Sequence, residues 1–387
     1  MDYMKRLKEH IGPSIRVLVE DAQSWDPVEH NWFNMVWRGA GTPGDPTSGR
    51  EAIMNTNTGQ IVPSVSWSEQ YRPIPEFMQN YGVIYFNPTA AYMLGQVWEN
   101  LYEPNLDAQK YPEGSIVVKV EAATVQPKEW PWHDEPDANG SVLSGASEWQ
   151  VFRPTTIDQK EHQRNPGYKM KNVVQTVYPF QLAIRVKDSI ASPNTGWVFL
   201  GYVYDARSKA EKVWDRFVPA GMMWGNDPKH ALSKSQFNAN DQLEESWINP
   251  DAPPFVKDTL GWNGRFAAPM DVAVRHNVVF PSGTRAQEGL RASSCLSCHG
   301  AAQFPRAANI YPSPNISFPP DGDTFLLYDV GSPQWAEWFQ NRPGTMPQSN
   351  HPGIKALDYD LTTMMALGAV ARATGNVAHA FGEINGH

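Results

Sequence analysis

Both cysteines of this 387-residue chain fall within six residues, Cys295-Leu296-Ser297-Cys298-His299-Gly300. No cysteine is left to staple distant segments. The fold must therefore be held by burial and hydrogen bonding, and the pair must answer a local chemical need. Three chemistries place two thiols this close. A thioredoxin-like redox pair opens a helix after a strand in a βαβ pattern, and no such pattern surrounds residue 295. Structural zinc takes about four ligands, so a single Cys pair would have to recruit two distant histidines. A covalent c-type haem takes two thiols three apart, which form thioethers, and a histidine directly after them to reach the iron. Cys295, Cys298 and His299 supply all three groups. The expectation is one covalent haem c, tethered through Cys295 and Cys298, with His299 as an axial iron ligand.

The length allows two or three domains. A hydrophobic content of 41% against 19% charged residues is that of a globular chain. The 15 Trp and 33 Pro favour a loop-rich, well-packed molecule over a helix bundle, since proline interrupts helix interiors and central strands. A net charge of −9 and a pI near 5.6, with no basic run, exclude nucleic acid as a partner. An acidic surface suits the steering of a basic redox partner protein. No transmembrane segment is expected, because no stretch reaches the roughly 18 apolar residues a spanning helix needs. The opening MDYMKRLKEH lacks the apolar core of a secretory signal. Haem attachment of this kind is completed outside the cytoplasm, so the expected location is periplasmic or otherwise extracytoplasmic, with a signal peptide already removed.

Along the chain, residues 1–24 have a helical pattern interrupted at Pro13, and residues 25–112 mix Gly, Pro and aromatics with little periodicity. Within the latter, residues 88–101 suggest a helix capped by Thr89. Three strand signals follow. GSIVVKVE (residues 114–121) sets Ile116, Val118 and Val120 on one face and Val117, Lys119 and Glu121 on the other. QLAIRVKD (181–188) alternates Leu182, Ile184 and Val186 with Arg185 and Lys187. GWVFLGYVYD (196–205) is apolar on both faces, as a buried strand is. These predict an antiparallel sheet or sandwich. A short helix is expected over 208–217, and Met223 and Trp224 lie in a turn-rich segment, as core filling beneath a loop or as the wall of a pocket. In the last hundred residues a short helix leads into Cys295, Ser332-Pro333 opens a helix, and a final helix over 360–374, carrying Leu361, Met364, Met365 and Leu367, ends at Gly375. The expected fold class is α+β, with an irregular aromatic-rich region at 1–110, a β-rich domain at 111–280 and a mainly helical haem domain at 281–387.

Two family resemblances bear on these residues. The segment 282–375 resembles a small single-haem cytochrome c domain: the haem-binding Cys295 to His299, a helix, the loop Gly344-Thr345-Met346-Pro347 and a closing helix. That likeness implies Met346 as the second axial ligand; Met364, Met365 and His351 are the other candidates, beside an open position. The middle of the chain resembles the β-rich cytochromes whose c-type haem is cross-linked to a lysine, and the related cytochromes c prime-beta. GSIVVKVE matches the strand carrying that lysine, which implies Lys119 as a haem neighbour or cross-link; Val186-Lys187-Asp188-Ser189 and GWVFLGYVYD match the segments that follow it. That family oxidises hydroxylamine or binds nitric oxide at a five-coordinate iron. Here nearly ninety residues part the Trp-bearing strand from Cys295, more than in the family, and the C-terminal part is longer.

The second axial position decides the function expected. A thioether there suits electron transfer; an open position suits ligand binding or catalysis. Electron transfer in an extracytoplasmic redox chain is the first expectation. The alternative is a haem oxidoreductase or gas-ligand-binding protein acting on a small nitrogen compound, with Glu121, Glu129 or Asp134 as proton acceptor. A third possibility is a structural or sensory role, with the haem as a staple for the fold. Hydrolase, phosphate-loop, dinucleotide and His-Glu-x-x-His metal motifs do not occur.

Overall fold

The computed structural model describes residues 2–37, 41–42, 44–132, 140–232, 243–271, 274–275, 278–283, 289–316, 325–349 and 351–376. Its centre is one antiparallel sheet of β1 (Asn57–Pro63), β2 (Phe77–Phe86), β3 (Ile116–Ala123), β4 (Trp149–Arg153), β5 (Val173–Lys187), β6 (Trp197–Tyr204), β7 (Phe217–Met223) and β8 (Ser246–Ile248). The spatial order is β1-β2-β3-β5-β6-β7-β8, and β4 pairs with the first half of the long β5. The three strands expected from the sequence, β3, β5 and β6, are adjacent at the middle. β1 and β2 come from the region expected to be irregular, and Phe86 of β2 pairs with Val117 of β3. The expected break at residue 110 thus falls inside one sheet. The alternation of β2 is hidden because that strand is buried along nearly its whole length, and that of β1 because it is half-exposed along most of its length.

The register sorts the side chains into two faces. On one lie Val118, Val120, Leu182, Ile184, Leu200 and Tyr202, all buried. Helix α1 (Asp2–Glu20) shares their core through Met4, Leu7, Ile11, Ile15, Leu18 and Val19, and the Tyr202 hydroxyl donates to the Met4 carbonyl at 2.6 Å. Pro13 does not break α1, contrary to expectation. It lies on the exposed side, as does Glu9, so the carbonyl deprived of its helical donor can turn to water.

The other face carries Val117, Lys119 and Glu121 from β3, Gln181, Ala183, Arg185 and Lys187 from β5, Trp197, Phe199 and Gly201 from β6, and Gly221 and Met223 from β7. The sequence presents this as the solvent side. It is instead met by Phe266, Met270, Asp271 and Asp358–Asp360, and Glu121, Gln181, Arg185 and Lys187 are buried. Gly201 and Gly221 are required there: a Cβ would meet the Phe266 ring at 2.6 and 2.7 Å.

α2 (Pro88–Val97) is capped by the Asn87 side chain rather than by Thr89, and α3 (Thr156–Arg164) by Thr155. In place of a helix over 208–217 there is one 3-10 turn, Trp214–Arg216, feeding β7. The C-terminal third holds α4 (Cys295–Gly300), α5 (Pro333–Glu337) and α6 (Leu361–Thr374) among turns and two-residue ladders, so it is less helical than expected; its prolines break it into turns. α5 is capped by Ser332, and α6 runs from an Asp360 cap to Gly375, which takes the left-handed conformation. Trp262, Trp335 and Phe339 form a second small core, while Leu296, Tyr359, Leu367 and Val370 join the main one.

Candidate functional site

The backbone leading into the cysteine motif is pinned before the helix begins. Gly261 passes so close to the Ser293 carbonyl that a Cβ would lie 2.0 Å from it, and Trp262 N–H donates to that same carbonyl at 3.1 Å. Leu290–Arg291 forms a strand ladder with Val274–Arg275, where the sequence suggested a helix. α4 then starts at Cys295 itself. Ser294 caps it, its Oγ accepting from Ser297 N–H at 3.2 Å, and Ser297 Oγ accepts from Ser294 N–H at 2.9 Å. This is a capping box with serine in the usual Glu/Gln place. Cys295 N–H donates to the Phe266 carbonyl, and Leu296 N–H meets Met223 Sδ at 3.5 Å. Met223 is thus a support beneath the motif and not a pocket wall.

This anchoring turns Leu296 and Ser297 inward and leaves Cys295, Cys298 and His299 half-buried. Both cysteines are free thiols. Burial, and next the charge of Asp271, push the Cys295 thiol well above its ordinary range. The His299 ring lies 4.9 Å from that of Phe199, and its Nδ1 is 2.9 Å from the Tyr359 carbonyl. A carbonyl only accepts, so Nδ1 carries the proton and the Nε2 lone pair is left to bind a metal. Burial, followed by the Arg185 charge, lowers the His299 pKa to about 4, which keeps the imidazole neutral near pH 7. Two free thiols on half-buried residues one helical turn apart, beside an imidazole whose Nδ1 is taken by the Tyr359 carbonyl, are the donors a c-type haem would need.

Lys119 lies on the same side of the sheet. Its Nζ pairs with Glu121 Oε1 at 2.7 Å and Asp271 Oδ1 at 2.8 Å, and the charges of Lys119 and Asp271 act on both Cys295 and His299. Burial works against the ammonium, but Asp271 and Glu121 outweigh it and hold Lys119 charged well beyond the usual lysine range. Glu121, fully buried, is raised to about 7 by desolvation and then by Asp271. Gln181 Nε2 donates to both carboxylates, and Asn80 Nδ2 to Glu121. Lys119 is therefore an ion-paired residue of the site, not a solvated lysine on an outer face.

The other expected residues are placed as follows. Glu129 accepts from Gln126 N–H and closes a 3-10 turn; Asp134 lies outside the described residues. Met346 is 52% exposed, in a turn closed by its N–H donating to the Pro343 carbonyl. Its loop leans on the segment behind His299: Asp358 N–H donates to the Gly344 carbonyl, and the Tyr359 hydroxyl to that of Arg342. Met364 is partly buried against the core, and Met365 and His351 are exposed. Sequence reasoning missed Asp271, Arg185 and the Asp358-Tyr359-Asp360 segment. Asp360 figured only as the first residue of the final helix, which it caps. Among the described residues no group of three or more His, Cys, Asp or Glu side chains is placed to hold a metal ion. Nor is any helix among them long and apolar enough to cross a membrane. No family model, no curated protein and no solved structure matches the chain. The chain is an α+β protein built on an eight-stranded antiparallel sheet.

Proposed function

We propose that this chain carries a single c-type haem, joined through Cys295 and Cys298 with His299 as axial ligand, and acts outside the cytoplasm as a haem oxidoreductase or binder of a small inorganic ligand, a small nitrogen compound being the expected class. The observation that carries this reading is the Lys119–Glu121–Asp271 cluster on the sheet face that bears α4. The resemblance to the lysine-cross-linked β-rich cytochromes and cytochromes c prime-beta gains support from the same place, since its three matching segments are adjacent strands. The haem supplies, when bound, a one-electron couple and a coordination position for a small ligand. His299 stays neutral and oriented through the Tyr359 carbonyl. Glu121, with a pKa raised to about 7, is suited to accept and return a proton near neutral pH. Lys119 presents positive charge to whatever lies against that face. Electrons enter or leave through a redox partner protein.

The reading is tested by covalent haem in the purified protein, seen as a mass increment and a c-type pyridine haemochrome spectrum, and by rapid carbon monoxide binding to the reduced form. A reduced protein that excludes carbon monoxide removes the open-site reading.

The electron-carrier reading, with a C-terminal cytochrome c-like domain and Met346 on the iron, rests on the exposed thioether of Met346. The Met346 loop is tied to the Asp358–Tyr359 turn that holds His299 Nδ1, and in this reading Met346 would supply the second ligand to the haem iron. A methionine-to-iron charge-transfer band in the ferric spectrum, lost in Met346→Ala, would establish the carrier.

A further inference from the structure

The Tyr359 carbonyl that orients His299 receives a second donor. Arg185 Nη1 donates to the same oxygen, while its Nη2 bonds Asp360 Oδ1 at 2.7 Å. The Arg185 side chain is 5% exposed, and its guanidinium lies over the rings of Trp197 and Tyr111 at 5.3 and 5.7 Å. The segment presenting the carbonyl is held in an unusual backbone. Asp358 and Tyr359, neither of them glycine, take φ of 47° and 64° in succession, in the left-handed region that side chains disfavour. Such a conformation persists only where its surroundings over-determine it. Here they do: Asp358 Oδ1 takes Lys187 Nζ at 2.9 Å and Trp197 Nε1 at 2.7 Å, and its Oδ2 takes Tyr111 N–H at 2.8 Å. Asp360 takes the Tyr111 hydroxyl as well as Arg185. A helix cap for α6 needs none of this convergence.

We propose that Arg185 is a positioning residue that raises the reduction potential of the haem site by sharing the Tyr359 carbonyl with His299. The inference rests on the haem reading above. A guanidinium on the carbonyl oxygen draws away electron density that His299 Nδ1–H would otherwise meet. The imidazole then takes on less imidazolate character and donates less to the metal at Nε2. The buried positive charge acts in the same direction, since it disfavours the more positive, oxidised state.

The test is the iron midpoint potential, measured by spectroelectrochemistry on the whole haem-loaded protein. Three variants are compared with the parent: Arg185→Lys, the charge-neutral pair Arg185→Met/Asp360→Asn, and Arg153→Met. Arg153 is also buried, but its donors go to the carbonyls of Pro46, Ser48, Gly49 and Thr56, so its loss is a control for general destabilisation. The paired variant is expected to favour the oxidised form about tenfold, a fall of roughly 59 mV for one electron, and to raise the iron–histidine stretching frequency in resonance Raman. Arg185→Lys, which keeps the charge and loses the fork, should fall between it and the parent, and Arg153→Met should leave the potential where it was. An unchanged midpoint in either folded, haem-loaded Arg185 variant overturns the inference, as does an equal shift in Arg153→Met. A parent protein without covalent haem overturns the underlying reading instead, and the mass spectrum distinguishes that case.

Discussion

The two faces of the central sheet are built by opposite means. The face under α1 is covered by aliphatic and aromatic side chains, and almost any well-packed apolar set would serve there. The face under the C-terminal third holds four charged residues of β3 and β5 (Lys119, Glu121, Arg185 and Lys187), each with a named partner more than 140 residues along the chain or on its own strand. Buried ion pairs are no efficient source of stability, because desolvation offsets most of their attraction. What they give here is position: the Asp358–Asp360 segment is set against Arg185 and Lys187, and His299 is oriented by that segment.

The two faces should therefore fail differently. The largest effect is expected at the motif, where replacing Cys295 and Cys298 together by Ala abolishes covalent haem, read as loss of haem absorbance after denaturing extraction; any α1 substitution that leaves the protein folded should retain it. Asp358→Ala strips three donors of their acceptor, and the lone Lys187 charge should cost about 3–5 kcal/mol in urea unfolding, with a changed haem spectrum. On the opposite face Ile15→Ala is expected to cost about 2–5 kcal/mol and leave the spectrum alone; a spectral change there would erase the contrast. Gly221→Ala should cost about 1–3 kcal/mol, since its Cβ meets both the Phe266 ring and the Trp247 carbonyl at 2.7 Å.

The gentlest effect is a slope in pH. Glu121 titrates at about 7 in the folded chain against an ordinary 4.5, so between those values the native state holds a proton that the unfolded state has released. Its contribution to stability is complete below about pH 4.5 and is lost as the pH rises toward about 7. Glu121→Gln should flatten that part of the stability profile, while a chain altered only at Ile15 keeps the slope.

Much of the fold and of the site is legible in the amino-acid sequence. Cys295, Cys298 and His299 stand out as one cluster because they are adjacent in sequence, and the ends of α5 and α6 are recognisable because Ser332 and Gly375 act on adjacent backbone. β3, β5 and β6 show through their alternation or their continuous apolar run. β1, β2 and β4 do not, for different local reasons: β2 is buried on both sides, β1 is half-exposed along its length and β4 is short. The Lys119 face reads as an outer one because alternating charge means solvent unless something covers it, and the cover begins beyond residue 250.

By itself the sequence determined the grouping of two thiols and an imidazole in five residues, the donors the proposed haem would take, because such a set needs only one helical turn. The tertiary structure alone decided what stands around them. Asp271 reaches Lys119 across 152 residues, and Arg185 and His299 reach one carbonyl from 174 and 60 residues away. Such meetings depend on strand register and on which face the C-terminal third covers, and neither is written in the spacing of the residues that meet.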